Sequence, residues 1–184
     1  MRTSYHRDSR GNLEAVKLIL VSAESGQWYS GLRSNSTQVD LVGGHRDTTD
    51  HSRLEAISRE ITEELEPGSP RDTVTHAIQH TPSSSGLAEF NGRSYNIHYY
   101  AAILPERTLS RLRLSTEGSR ELHAWGPRPP ASYALSLERE SLASASQDAV
   151  TAARATQYHS EPLTPSDSSH LPPTATLRTH LSEN

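Results

Sequence analysis

The chain has no cysteine anywhere in its 184 residues, which excludes disulfides, thiolate nucleophiles and cysteine-ligated zinc together. It also has no apolar run near the roughly 20 residues that a membrane-spanning helix needs, so no membrane partner is expected. The opening stretch, MRTSYHRDSRGN, lacks the apolar core of a secretory signal, and the expectation is a soluble cytoplasmic protein. Lysine is almost missing, Lys17 being the only one, but an arginine bias by itself points to no chemistry. A surplus of positive charge is absent too. With 18 basic and 22 acidic residues the net charge is −4, so there is no broad field for a phosphate backbone and no stable nucleic-acid binding is expected. Small anionic ligands could still bind locally.

What is present suits one compact core. Hydrophobic residues make up 33% and charged residues 22% of the chain, and at this length one domain is the default. The domain is expected over residues 15–155, after an N-terminal extension at 1–14. The segment 156–184 is dominated by Ser, Thr, Pro and His, a composition that buries too little apolar surface to order itself, and it reads as a disordered tail.

The run AVKLILVS at 15–22 reads as a buried strand, Trp28 and Tyr29 start another, and TQVDLV at 37–42 forms a third that ends at Gly43 and Gly44. Ser52 and Glu55 form the S-x-x-E pattern of a capping box, so a helix should begin at Arg53. It should stop near Leu65, because Pro67 cannot continue it and Gly68 suits a C-terminal cap. Residues 73–81, TVTHAIQHT, alternate as a strand would. Asn91-Gly92 marks a hairpin turn. In the arm after it, Tyr95, Ile97, Tyr99, Ala101 and Ile103 share one face, with Asn96, His98 and Tyr100 on the other. A short strand at 121–125 and one or two helices within 135–154 complete the expectation.

The stretch REITEEL, residues 59–65, carries three glutamates and an arginine. At about 100° per residue, Leu54, Ile57, Ile61 and Leu65 fall in one stripe roughly 60° to 80° wide, which faces the core. Glu64, Glu60 and Glu63 lie progressively further round one flank, starting only about 60° from the centre of that stripe. A solvated acidic face would sit opposite the core. Carboxylates this close to it lose water and need a cation or donor. Arg59 can pair with Glu63 at i, i+4, a contact worth only about 0.2 to 0.5 kcal/mol on a helix surface, and one arginine cannot neutralise three glutamates. A divalent cation could, since Mg²⁺ takes oxygen ligands and shares its shell with waters and substrate phosphates.

These residues resemble the signature of the Nudix hydrolase superfamily: glycine, five residues, glutamate, seven residues, then R-E-U-x-E-E-x-G-U, with U a bulky aliphatic. Arg59, Glu60, Ile61, Glu63 and Glu64 fit the R-E-U-x-E-E core without a gap, and Gly44 ends a strand just upstream. Asp50 stands where the upstream glutamate falls when counted from Gly44. Eight residues rather than seven separate it from Arg59, so the loop carries one insertion and a shorter acid. Glu66 occupies the family's glycine position, and the glycine comes two places later at Gly68.

The resemblance implies an α/β fold, the Nudix α/β/α sandwich with a mixed central sheet. It implies that Glu60, Glu63 and Glu64 ligate Mg²⁺ or Mn²⁺, that Gly44 lends a backbone carbonyl, and that Arg59 orients the glutamates. The chemistry implied is hydrolysis of a pyrophosphate bond in a nucleoside diphosphate linked to another moiety. The partner is then a small nucleotide derivative, and a homodimer is an open expectation. Glu63 is the first choice for the base, with Asp50, Glu89 and Glu121 as alternatives and Glu55 assigned to the cap. A catalytically impaired nucleotide-sensing or protein-interaction module is the alternative function. The isopentenyl diphosphate isomerase branch uses a catalytic cysteine, which this chain lacks.

Ten histidines invite a metal reading, yet His76 and His80 on a strand would stand about 13 Å apart. His45 and His51 read as solvated loop residues, the former placed to donate to a phosphate oxygen as its alternative. Tyr95, Tyr99 and Tyr100 could offer stacking surface but fit strand-face packing better. Trp125 reads as structural.

Overall fold

The computed structural model describes residues 4–137 and 140–160. Its elements in chain order are β1 (Leu13–Ser22), β2 (Trp28–Arg33), β3 (Val39–Asp40), β4 (Gly43–His45), α1 (Arg53–Glu64), α2 (Arg71–Ile78), β5 (Ser84–Phe90), β6 (Arg93–Leu104), α3 (Glu106–Leu109), α4 (Gly118–Glu121), β7 (Leu122–Arg128), α5 (Pro130–Leu137) and α6 (Glu140–Ser160).

The apolar run of β1 organises everything else. One edge of β1 pairs in parallel with β6 along its whole length, Leu13 opposite Tyr95 through Ser22 opposite Leu104. Its other edge is shared: Ala15–Lys17 pair antiparallel with β4, and Leu20–Val21 pair antiparallel with β2. The sheet therefore runs β3-β2-β1-β6-β5, with β4 attached to β1 and β7 to β2. This mixed sheet is covered on both sides, giving the expected α/β/α sandwich. Alternation along β1 and β6 assigns the faces. Ala15, Ile19, Ile97, Tyr99, Ala101 and Ile103 join the core beneath α6. Val16, Leu18, Leu20, Tyr100 and Ala102 join the core shared with α1 and α2. Tyr99 and Tyr100 are thus packing residues, and Tyr99 shares a buried 2.9 Å hydrogen bond with Tyr133.

The two-residue turn at Asn91-Gly92 joins β5 to β6, with Asn91 at φ 50° and Gly92 at φ 70°, both in the left-handed region that this turn needs. The segment 73–81 departs from expectation: it lies in α2 and the turn after it, not in a strand. The reason is arithmetic. Val74 and Ile78 are four apart, a separation that serves both a strand face and a helix stripe, and both are fully buried against the α1 side of the sheet. His76 and His80 consequently stand one turn apart with ring centroids at 6.3 Å, far closer than a strand would hold them.

Residues 4–14 are integrated rather than appended. Tyr5 bridges to Asp47 and Arg7 to Leu13, and His6 N–H donates to the Arg46 carbonyl at 2.8 Å. At the other end α6 continues to Ser160, past residue 156 where a tail was expected to begin, and 161–184 lie outside the described residues. Among the described residues no helix is long and apolar enough to cross a membrane.

Candidate metal and catalytic centre

Helix α1 forms as the sequence requires at its start. Ser52 Oγ accepts from the Glu55 N–H at 3.0 Å, and the Glu55 carboxylate accepts the N–H of His51 at 2.8 Å. Ile57, Ile61 and Leu65 are fully buried, each contributing roughly 1.5 to 3 kcal/mol. The far end is built differently from expectation. Gly68 does not take the left-handed conformation of a glycine cap. Instead the Arg71 guanidinium donates to the carbonyls of Thr62 at 3.0 Å and Leu65 at 3.2 Å. Ser115 N–H donates to the Glu64 carbonyl at 2.7 Å and its hydroxyl to that of Glu63. An arginine and a serine from elsewhere in the chain thus satisfy the carbonyls that a terminal glycine motif would otherwise close.

The three glutamates are graded around the helix in the order the wheel gives. Glu64 is 2% exposed and Glu60 7%, while the Glu63 side chain is 40% exposed. Glu60 lies directly against Gly44: a Cβ on Gly44 would stand 2.6 Å from Glu60 Oε1. Only a residue without a side chain lets the helix carboxylate and the β4 backbone meet there. Gly43, at φ 139°, has the same constraint on its other side, where a Cβ would run into the Val16 carbonyl of β1.

Arg59 ties the group together. Its Nη1 donates to Glu60 Oε1 at 2.8 Å and to Glu63 Oε2 at 3.1 Å, and Nη2 donates to the His45 carbonyl at 2.9 Å. Nε and Nη2 hold both oxygens of Asp50, at 3.2 and 3.1 Å. Burial opposes the charge on Arg59, but Asp50 and Glu60 outweigh it and raise its pKa. Asp50, itself buried, also accepts the Asp47 N–H at 2.8 Å, and against its desolvation Arg59 holds its carboxyl below the usual range. Both Asp50 oxygens are thereby committed, to Arg59 and to the Asp47 N–H.

Electrostatically the cluster is unfinished. Burial pushes the Glu64 carboxyl up to about 9, with Lys17 opposing and the charges of Glu60 and Glu121 adding to it. Burial raises Glu60 as well, against the pull of Arg59. Glu64 Oε2 is buried and has no hydrogen-bond partner among the described residues. Two adjacent buried carboxylates with an orphaned oxygen fit a hard cation, which takes oxygen ligands and would complete its shell from backbone carbonyl and water. Among the described residues no three His, Cys, Asp or Glu side chains already converge as a closed metal cage.

Of the other sequence candidates, Glu121 is brought within electrostatic reach of Glu64 and His45. Glu89 stands on β5 opposite Ser94, separated from β4 by β6 and β1. His45 is not a solvated loop residue: it is half-buried on β4, with burial lowering its pKa, and its ring stacks on Tyr5 at 4.3 Å and approaches Tyr95 at 5.7 Å. His51 is exposed, as expected. Trp125 packs against Tyr29 at 6.3 Å. Sequence reading missed Glu14, Arg46 and Arg53. Glu14 is buried and accepts from Arg46 at 2.7 Å and from Arg53 at 2.9 and 2.7 Å. The only advance signal was an acid at the start of a strand that is apolar but for Lys17 and Ser22.

No protein-family model matches the sequence, and none of the curated proteins matches it. Solved structures do match in shape. A C. elegans Ap4A hydrolase in a binary complex superposes with a TM-score of 0.57 at 17% identity, covering 78% of this chain and 98% of that one. The E. coli dihydroneopterin triphosphate pyrophosphohydrolase gives 0.54 at 12% identity, covering 84% and 99%. A Listeria monocytogenes protein assigned as a NUDIX hydrolase gives 0.51 at 17% identity, covering 78% and 94%. These likenesses establish a shared fold.

Proposed function

We propose that this chain, which has the Nudix fold, is a metal-dependent hydrolase that cleaves the pyrophosphate bond of a nucleoside diphosphate linked to another moiety. The observation that carries the reading is Glu60 packed against Gly44 and tied with Glu63 to Arg59, while Glu64 Oε2 is buried without a hydrogen-bond partner among the described residues. In this reading Glu60, Glu63, Glu64 and the Gly44 carbonyl hold Mg²⁺ or Mn²⁺, which when bound polarises phosphoryl oxygens and offsets charge on the leaving phosphate.

The chain's own groups divide the remaining work. Arg59 keeps Glu60 and Glu63 pointed at one place while Asp50 and the His45 carbonyl keep Arg59 still. Glu63 faces solvent and is tied to Arg59 through Oε2 alone among the described residues, so its other oxygen can accept a proton from an attacking water. Tyr5, His45 and Tyr95 offer a run of rings beside β4, the kind of surface on which a nucleobase stacks. The sensor alternative rests on the lengthened loop from His45 to His51. Through Asp50 and the His45 carbonyl that loop locks Arg59, which supports turnover over mere binding.

The test is a hydrolysis screen of nucleoside diphosphate derivatives with Mg²⁺ or Mn²⁺, products identified by mass, with Glu63→Gln alongside. We expect one class of substrate to be cleaved and E63Q to slow it by about 10²- to 10⁴-fold. No cleavage across the panel, or an E63Q rate equal to wild type, refutes the assignment.

A further inference from the structure

A concavity of about 570 Å³ opens on the α1 side of the sheet, and none of the three α1 glutamates lines it. Its floor is Glu14 on β1 and Asn96 on β6, its walls are Arg46, Arg53 and the start of β5 from Ser85 to Leu87, and its rim is the N-terminal segment His6–Arg10. With His neutral, four arginines (Arg7, Arg10, Arg46, Arg53) face two acids (Asp8, Glu14), a surplus of two positive charges on a chain whose net charge is −4. That concentration is local, gathered around one open concavity.

The arginines are unequally committed. Arg46 and Arg53 both bind Glu14, yet Arg46 Nε is buried without a hydrogen-bond partner among the described residues. Arg7 donates only to the Gly11 carbonyl, and the Arg10 guanidinium makes no hydrogen bond or ion pair among the described residues. Asp8 accepts from Asn12, from Asn96 and from the Arg10 backbone N–H, and it makes no ion pair with the Arg10 guanidinium among the described residues. Opposite these donors stands Leu87, 48% exposed and one of only two large hydrophobic side chains so placed among the described residues. Arg53 is the first residue of α1, which adds the positive end of that helix to the same wall.

We propose that this concavity is a second ligand site, separate from the carboxylate cluster, that binds an organic phosphate ester. The unpaired arginines take the phosphate, and the volume, which lies within the range of roughly 300 to 1,000 Å³ for small-molecule sites, holds a sugar or nucleoside body against Leu87. A bare phosphate would leave most of that space and the apolar wall unused. The site is linked to α1 by a chain of contacts: Arg46 binds the Glu14 carboxylate and, at 3.2 Å, the Asp50 carbonyl, while the Asp50 carboxylate holds Arg59.

The experiment is calorimetry on the full chain in EDTA with AMP, ribose 5-phosphate and uncharged adenosine as probes. Without metal it reads binding alone, so it can fail while the hydrolase reading stands, and the reverse. We expect both phosphates to bind and adenosine not to. The double variant R7A/R10A should weaken the phosphates at least tenfold, Leu87→Asp should weaken AMP, and Glu63→Gln should leave both isotherms unchanged. Arg7, Arg10 and Leu87 are exposed, so their replacement leaves the core intact. Absence of phosphate binding to wild type overturns the proposal. So does binding that survives R7A/R10A, or binding lost in E63Q, which would place the ligand at the carboxylate cluster.

Discussion

Arg59 grips Asp50 with two arms of its guanidinium, Nε to Oδ1 at 3.2 Å and Nη2 to Oδ2 at 3.1 Å, and so fastens the lengthened loop to the helix that carries the glutamates. The pair is 26% and 4% exposed by side chain, dry enough for its loss to matter. Asp50→Asn keeps the shape and removes the charge. It should lower the unfolding free energy by about 1 to 3 kcal/mol, read from denaturant midpoints, and slow hydrolysis because Arg59 no longer holds its aim. An unchanged midpoint and rate would show that the loop is held by other contacts.

The two adjacent glycines should respond differently to alanine. In Gly44→Ala the new methyl meets the end of the Glu60 side chain, which can swing aside, so the fold should survive while metal-dependent activity falls. In Gly43→Ala the methyl meets the fixed backbone of Val16 from a φ of 139°, and stability should drop by about 2 kcal/mol or more. Thermal melts of both variants beside their hydrolysis rates separate the two effects. Equal melting temperatures for the pair would contradict the geometry.

Burial of Glu64 makes stability depend on pH. Its carboxyl is protonated in the folded metal-free chain up to about pH 9 and ionised in the unfolded chain above its ordinary 4.5. Between those values the unfolded state binds fewer protons, so stability is lost as pH rises through the window. Glu64→Gln mimics the neutral acid and should raise the melting temperature at pH 8 in EDTA. Adding Mn²⁺ should stabilise wild type by about 2.7 kcal/mol at a hundred times its Kd and leave E64Q nearly unmoved. A wild-type melt indifferent to Mg²⁺ and Mn²⁺ would count against a cation site.

His98 has the opposite slope. It is buried with its Nε2 3.5 Å from Glu14, but desolvation and the charges of Arg53 and Arg46 outweigh Glu14 and Asp8, lowering its pKa to about 4. The folded chain keeps it neutral while the unfolded chain protonates it near 6.5, so stability falls as pH drops from 6.5 to 4, by roughly 3 kcal/mol at most. His98→Gln should flatten that part of a stability profile measured by denaturation from pH 7.5 to 4. A profile as steep as wild type would assign the slope to the carboxylates instead.

Much of the architecture was legible because it rests on local rules. Period-two alternation assigned both faces of β6, Asn91-Gly92 announced its hairpin, and the Ser52 cap fixed where α1 starts. Helical spacing alone ranked Glu64, Glu60 and Glu63 by burial. Local rules failed where two periods coincide, as at Val74 and Ile78, and where a distant residue replaces a local signal, as Arg71 and Ser115 replace the glycine cap of α1.

The sequence by itself determined that three carboxylates would crowd the rim of a core, because side-chain direction along a helix follows from its 3.6-residue turn; the glycine pair, expected to end a strand at 37–42, instead lies within the separate strand β4. Only the tertiary structure decided that Asp50 serves Arg59, that Glu14 gathers Arg46 and Arg53, and that an arginine-walled concavity lies beyond them. Those partners are far apart along the chain, up to 39 residues for Glu14 and Arg53. Which charges meet across such distances is fixed by sheet register and loop path, and neither is encoded in any one stretch.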